Sequence, residues 1–436
     1  MNKSRFGVTA ILAGMVLLVL GTTSAAAEPF LLASETTWGG AGTDIADGVA
    51  IAPDGSNYVV GSTSSFRGTF EIFVLKFAPN ATLAWQRTWR GPDVFGNDEG
   101  RAVAIAPDGS AVYVVGRTTA GAGDAVLLKF GADGTLIWQR TWGGSGTESG
   151  EAVAVASDGN VYVAGSTTTF VVPFLLKFDP NGNLVWQKGG SLSGSAEGVA
   201  VGPDGNIYVA GTSARSGGTG SDIFVLKVTP DAGVVWQATY SAGDATDDRG
   251  GIAVGHDNSI YVAGALQIPT ATIVDLRALL LKLNPDGSLA WQRTWGGRSG
   301  DAALGVAVAP DGTALLAGSS SSFGSGPSDA FLVKFLPTGR ATDAATWGGA
   351  DLDSGRAVAV ASTGTITLVG AASAPPYVFQ AAPTRIQRPR GSIVTSTGTM
   401  TNLAGTVATP AGTVATPNSS LTFAGGFDAA LIRVLP

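Results

Sequence analysis

The 436-residue sequence has no cysteine, one histidine and a charged fraction of only 14%. Without cysteine there is no disulfide framework, thiolate zinc site, iron–sulfur cluster or cysteine nucleophile. One histidine excludes a His-based metal centre, and a Ser-His-Asp hydrolase would have to use that residue, His256. Basic residues are scarce too. The formal charge of -7 and a pI near 4.8 exclude the basic footprint of a nucleic-acid binder. Beyond residue 27 the chain also lacks sustained helical periodicity and any apolar run long enough to cross a bilayer. What it has in excess is glycine, 63 residues, about twice the usual share, as tight turns require.

The amino-terminal segment follows a secretory order. Lys3 and Arg5 precede an apolar run from Val8 to Leu20, and Ala25-Ala26-Ala27 leads to Glu28. This reads as a signal peptide, residues 1–27, cleaved after Ala27. The mature chain, 28–436, is then exported, carries no transmembrane segment and is more acidic by the loss of Lys3 and Arg5. Its destination is the extracellular space, the cell surface or the periplasm. With no disulfides, its stability must come from packing.

The rest repeats one unit, most complete from Trp142: TWGGSGTESGEAVAVASDGNVYVAGSTTTFVVPFLLKFDPNGNLVWQK. Equivalent turn residues fall at Gly55, Gly109, Gly159, Gly205, Asn258, Gly312 and Gly364, separated by 46 to 54 residues. That is the period of propeller blades. Each unit reads as four strands. A small apolar strand a (VAVAP-like) is followed by an Asp-Gly turn and a β-branched and aromatic strand b (NVYVAG). A variable loop leads to strand c (FLLKF), and a Pro-Asn-Gly turn leads to strand d (LVWQRTW). Four-stranded units at this spacing, set radially, bury each other's faces and make an all-β β-propeller.

The carboxyl-terminal stretch Gly412–Val434, GTVATPNSSLTFAGGFDAALIRV, aligns with strands a, b and c, its turn at Ser419. Leu31–Gly40 matches strand d. The expectation is eight four-stranded blades in a single domain, the last closed by the N-terminal strand. The alternative is seven blades with a Thr/Pro-rich insertion in the divergent part, 372–420, which contains AGTVATPAGTVATP. The T-W-G-G, P-D-G-x-x-Y-V-x-G and L-K-F-x-P-x-G-x-x-x-W signatures resemble the bacterial β-propeller repeats known as SBBP repeats, over nearly the whole mature chain. The resemblance weakens after residue 371. It implies exported or cell-surface proteins, mostly without assigned activity, and the family name suggests seven blades.

Recurrent residues supply the candidate sites. Trp85, Trp138, Trp186, Trp236 and Trp291 share one place on strand d, where a flat ring fills the widening gap between blades. Lysines inside the apolar strand c need partners. The Asp of the a–b turn lies at the same end of the blade, so one structural pair per blade is expected: Asp54–Lys76, Asp108–Lys129, Asp158–Lys177, Asp204–Lys227, Asp257–Lys282 and Asp311–Lys334. In the seventh unit Thr363 and Gln380 replace both charges together, and Asn418 and Arg433 stand in the eighth. A second set precedes strand a: Asp44, Asp47, Asp98, Glu99, Glu148, Glu151, Glu197, Asp247, Asp248, Asp301, Asp351 and Asp353. On one face these acids would ring the channel mouth and focus a negative potential there. Such a mouth would suit a cation, a cationic ligand or a basic protein patch, or serve as a solvated rim. Ca²⁺ is the one cofactor the carboxylates suggest, although no loop matches a calcium-binding signature.

His256 sits in an a–b turn, and the WGGSG strings are turns with no helix to bind phosphate. Arg385, Arg388 and Arg390 form too small a cluster for a nucleic-acid surface. The functional expectation is an exported, non-enzymatic binding or scaffold protein that takes a protein or glycan partner on the loops of the channel-mouth face. Among these loops 265–277 is the most apolar. The alternative is a channel-mouth enzyme, either a quinoprotein-like dehydrogenase or a carboxylate-based lyase or glycosidase.

Overall fold

In the computed structural model the described residues are 29–93, 95–119, 122–167, 172–190, 192–215, 220–246, 250–269, 274–389, 392–396, 400–403, 406–417 and 426–435. The signal segment, Asp247, Asp248, Asn418 and Ser419 lie outside them. Strand b shows why the sequence makes blades. Asn57–Thr63 is buried at every position, because a sheet inside the ring is covered on both faces by its neighbours. The inner strand, Asp44–Ile51, alternates at first, with one side turned to the axis.

The chain forms seven blades, each an antiparallel sheet in the order a-b-c-d. Blade 1 consists of Asp44–Ile51, Asn57–Thr63, Glu71–Phe77 and Leu83–Arg90. Blades 2 to 6 span 99–143, 148–190, 194–246, 252–295 and 301–348. Blade 7 takes its strands a and b from Ser354–Val360 and Ile366–Ala372, and strand c from Asp428–Leu435. Its strand d is the N-terminal Leu31–Trp38, paired from Leu31↔Leu435 to Trp38↔Ala429. The termini close the ring as expected, but the count of eight is wrong. Among the described residues of the supposed eighth unit, only the last stretch enters a blade, as strand c of blade 7.

The described residues between, up to 417, form a belt. After strand b of blade 7 the chain leaves the inner sheet and runs back around the outside of the ring. It adds a short antiparallel strand to strand d of six blades in descending order, at Val378–Ala381, Ile386–Gln387, Ser392–Ser396, Met400–Asn402, Thr406–Ala408 and Thr413–Ala415. Its partners are, in turn, blades 6, 5, 4, 3, 2 and 1. The period is seven residues: Phe379 faces Trp347, Ile386 faces Trp295, Ile393 faces Tyr240, Met400 faces Gly190, Val407 faces Trp142 and Val414 faces Trp89. The two AGTVATP copies are successive steps of this belt. Where blade 3 has Gly189 and Gly190, Leu403 fills the space beside Gly189 that a β-carbon there would need.

A glutamine on strand d ties the layers together. Gln86 Nε2 donates to the carbonyl of Pro417, and Gln187 Nε2 to that of Leu403. Their Oε1 atoms accept the indole N–H of Trp38 and Trp142 from the preceding blade, at 2.7 and 2.6 Å. The belt also covers six outer edges that would otherwise offer unpaired backbone groups.

Candidate functional site

In six of the seven blades a β-bulge in strand a pushes one residue into the axial channel. The register shifts between Ala46 and Gly48, Gly100 and Ala102, Gly150 and Ala152, Ala196 and Gly198, Ala303 and Gly305, and Gly355 and Ala357. A bulge re-aims the extra side chain. The result is a ring of Asp47, Arg101, Glu151, Glu197, Leu304 and Arg356, with Gly250 in the blade 5 sector, around a cavity of about 200 Å³. The ring neutralises much of itself. Arg101 bonds Glu99 and stands 3.8 Å from Glu151, while Arg356 bonds Asp47 at 2.8 Å. Glu197 accepts the Thr212 hydroxyl at 3.0 Å.

The acids expected to share one negative mouth therefore separate into different environments. Asp47, Glu151 and Glu197 line the channel, Glu99 is held by Arg101, and Asp351 is exposed in its loop. Asp44, Asp98, Glu148, Asp301 and Asp353 are buried, at most 5% exposed, and bond the turn ahead of strand a. Each accepts a glycine N–H: Gly40 to Asp44, Gly91 to Asp98, Gly144 to Glu148, Gly297 to Asp301 and Gly349 to Asp353, at 2.6 to 3.0 Å. Burial pushes Asp44, Asp98 and Asp301 above the usual carboxylate range, against the hydrogen bonds from Ser65, Thr118 and Ser320. The expected rim fails because in five blades the acid at the start of strand a turns back to bond its own turn. Four of these turns share a spacing, TWGG followed four residues after its second glycine by Asp or Glu, which was the available signal.

The Lys–Asp pairs also divide. Among the described groups only Lys227 and Asp204 make the direct ion pair, at 2.8 Å. Lys76, Lys129, Lys177 and Lys282 reach instead to the next blade. They donate to the carbonyls of Ala132, Pro180, Pro230 and Pro337 in its c–d turn, at 2.8 to 3.4 Å. The same carbonyls accept the indole N–H of Trp85, Trp138, Trp186 and Trp291. Each ammonium stands over the strand b tyrosine of its own blade, Lys76 over Tyr58 at 5.1 Å for instance. Meanwhile Asp54, Asp108, Asp158, Asp257 and Asp311 accept the N–H two residues on, at 2.8 to 3.0 Å, as turn-forming aspartates do. Each lysine–tryptophan couple thus locks a blade to its neighbour. Gly134 in the receiving turn has φ 82°, and a β-carbon there would stand 2.9 Å from the Trp85 ring, so both backbone and packing demand glycine. Lys334 has no such carbonyl, because strands c and d of blade 7 come from opposite ends of the chain and no turn joins them.

The b–c and d–a connections share the channel-mouth face. The span 265–277 is largely a hairpin extension of Ile260–Pro269 and Val274–Leu283, and its Leu266 is buried in the core. Phe95, in the loop between blades 1 and 2, is 88% exposed on this face. His256 is exposed. Among the described residues no three His, Asp or Glu side chains are placed to hold a metal ion, and no helix is long and apolar enough to cross a membrane.

Strand order, blade number and inward-facing bulges define a seven-bladed β-propeller. Residues 156–184 and 202–231 match a family of beta-propeller domains of unknown function, DUF5122, in blades 3 and 4. No curated protein matches the chain. Among solved structures, it is similar to the Neurospora crassa Pan2 WD40 domain, at 15% identity over 79% of this chain and 91% of that one, TM-score 0.46. The virginiamycin B lyase of Staphylococcus aureus aligns at 10% identity over 78% and 95% of the two chains, TM-score 0.48. The periplasmic gluconolactonase of Pseudomonas aeruginosa aligns at 14% identity over 68% and 83%, TM-score 0.43.

Proposed function

We propose that this chain is an exported, non-catalytic binding scaffold of the SBBP-like kind, holding a protein or glycan partner on its channel-mouth face. The export rests on the secretory order of residues 1–27. The observation that carries the binding reading is where the blades differ from one another. Their inner strands, bulges and inter-blade locks repeat with small changes, whereas the connections on the mouth face do not. These run from the short 63–71 and 118–124 loops to the 260–283 hairpin. Variable loops on a rigid frame are how recognition surfaces are built. In the channel Arg356 holds Asp47, Arg101 stands beside Glu151 and the Thr212 hydroxyl bonds Glu197, so the carboxylates that an enzyme would use as base or nucleophile already have partners.

The test is a binding screen of the mature chain against glycan arrays and extracellular proteins, followed by mapping. Replacing 267–276 with a two-residue Asn-Gly turn, or Phe95→Ala, should weaken capture at least tenfold. Ile137→Ser and Val185→Ser, which alter exposed aliphatics on strand d, should leave it unchanged. Capture lost with the strand d changes and kept with the loop changes overturns the reading, as does turnover of a bound glycan.

A further inference from the structure

The start of strand c holds Glu71, Asp124, Val172, Asp222, Arg277, Asp329 and Asp428 in the seven blades. In blades 1 and 4 the acid has its own counter-ion: Arg67 lies 3.1 Å from Glu71 and Arg215 lies 2.7 Å from Asp222. In blade 5 the position is itself an arginine. Blades 2 and 6 differ. Among the described residues no lysine or arginine pairs with Asp124 or Asp329, and each faces the carboxylate that opens strand a of the next blade.

The glycine of the Trp-Gly-Gly turn leaves the notch where they meet. Asp329 Oδ1 and Asp353 Oδ2 lie 1.9 and 2.9 Å from where a β-carbon on Gly348 would stand. Asp124 Oδ1 and Glu148 Oε2 lie 2.3 and 2.7 Å from that point on Gly143. Asp329 is 0% and Asp353 2% exposed. Asp329 Oδ1 is buried and has no hydrogen-bond partner, while its other oxygen accepts Gly326 N–H at 3.0 Å. More oxygen stands close by: the carbonyls of Ala374 and Pro376 are 2.9 and 3.3 Å from the β-carbon point of Gly349, and Asp353 Oδ2 is 3.6 Å from it.

We propose that Asp329 and Asp353, at the junction of blades 6 and 7, bind a hard divalent cation of the Ca²⁺ type. Two desolvated carboxylates with an unmatched oxygen need a positive partner, and carboxylate plus carbonyl oxygen is the donor set that such cations take. The cation does for this junction what Arg67 and Arg215 do for theirs. This inference stands apart from the partner-binding reading, since it concerns only the joints between blades.

The test measures thermal unfolding of the mature chain with CaCl₂ or EDTA at pH 7, with calorimetric titration for stoichiometry. Saturating Ca²⁺ should raise the wild-type Tm by about 3 °C. Asp329→Asn should remove most of that rise and unfold at a higher temperature than wild type in EDTA. Glu71→Gln, at an arginine-matched junction, should keep the full response. No Ca²⁺ response in wild type, or an undiminished one in Asp329→Asn, overturns the proposal. If Ca²⁺ is inert and Asp329→Asn abolishes a pH-dependent change in Tm near neutrality, the pair shares a proton instead.

Discussion

Blade and belt are two ways of using short strands, and they differ in what they ask of the sequence. A blade strand b such as Asn57–Thr63 is buried at every position, so each of its residues must suit a two-sided core. A belt step such as Thr413–Ala415 is exposed at both ends and half-buried only at Val414. It needs one apolar residue per heptad, plus backbone groups that pair with strand d. About fifty residues build each blade, yet seven suffice to cross its outer edge. The ring's stability should therefore reside in its inner sheets and inter-blade locks, with the belt as a cover over the edges.

The largest effect should come from breaking the ring itself. Trp89 is 0% exposed, packs in the core between blades 1 and 2, and donates its indole N–H to Gln139 Oε1 at 2.7 Å. Trp89→Ala leaves a cavity and an unpaired glutamine, for a loss of about 3–5 kcal/mol. Denaturant unfolding should show it as a lower midpoint with m unchanged. A loss under about 1 kcal/mol would mean that the packing of blades is not where stability resides.

A smaller effect is expected on the belt. Gly412 crosses the face of Trp89, and a β-carbon on it would stand 2.4 Å from that ring. Gly412→Ala must push this belt step outward, at a cost of about 1–2 kcal/mol. Amide exchange should speed up at Thr413–Ala415 and leave strand b of blade 1 protected. If both regions lose protection together, the belt is part of the cooperative ring and the distinction fails.

The same contrast explains what could be read from the sequence. The blade period was plain because Trp85, Lys76 and the Asp-Gly turn recur as large, chemically distinct marks. Closure by Leu31–Trp38 was legible for the same reason. The belt was not, because its only mark is one apolar residue in seven, and Phe379, Ile386, Ile393, Met400 and Val414 share no side chain. One belt step, the second GTVATP, imitated strand a and inflated the blade count, while the stretch read as strand b lies outside the described residues. The lysines differ from expectation because sequence order favours the turn within a blade. Geometry favours the next blade, whose c–d turn lies beside the lysine and presents a carbonyl. The inward ring of Asp47, Arg101 and Arg356 depended on bulges, which alternation alone does not reveal.

The smallest expected effect separates Lys227 from the other lysines. Burial works against Asp204, but the hydrogen bonds from Lys227, Asn206 and Tyr208 outweigh it and hold the carboxyl at about 2, below its ordinary 3.8. A depressed folded-state value means that Asp204 stabilises the protein at pH above the unfolded value. That contribution is lost as pH falls from about 4 towards 2. Lys227→Met removes the partner, so Asp204 should titrate at higher pH and the acid limb of the stability curve should begin earlier. At pH 7 the loss is about 1 kcal/mol or less, because the pair is partly exposed. Asp257 is lowered as well. Burial again opposes, and Ser259 supplies most of the offset, ahead of a lesser contribution from Lys282. Lys282→Met should therefore move the acid limb less than Lys227→Met. Equal shifts would mean that the ammonium over its tyrosine acts on the turn aspartate whether or not the two touch, and blade 4 would not be exceptional.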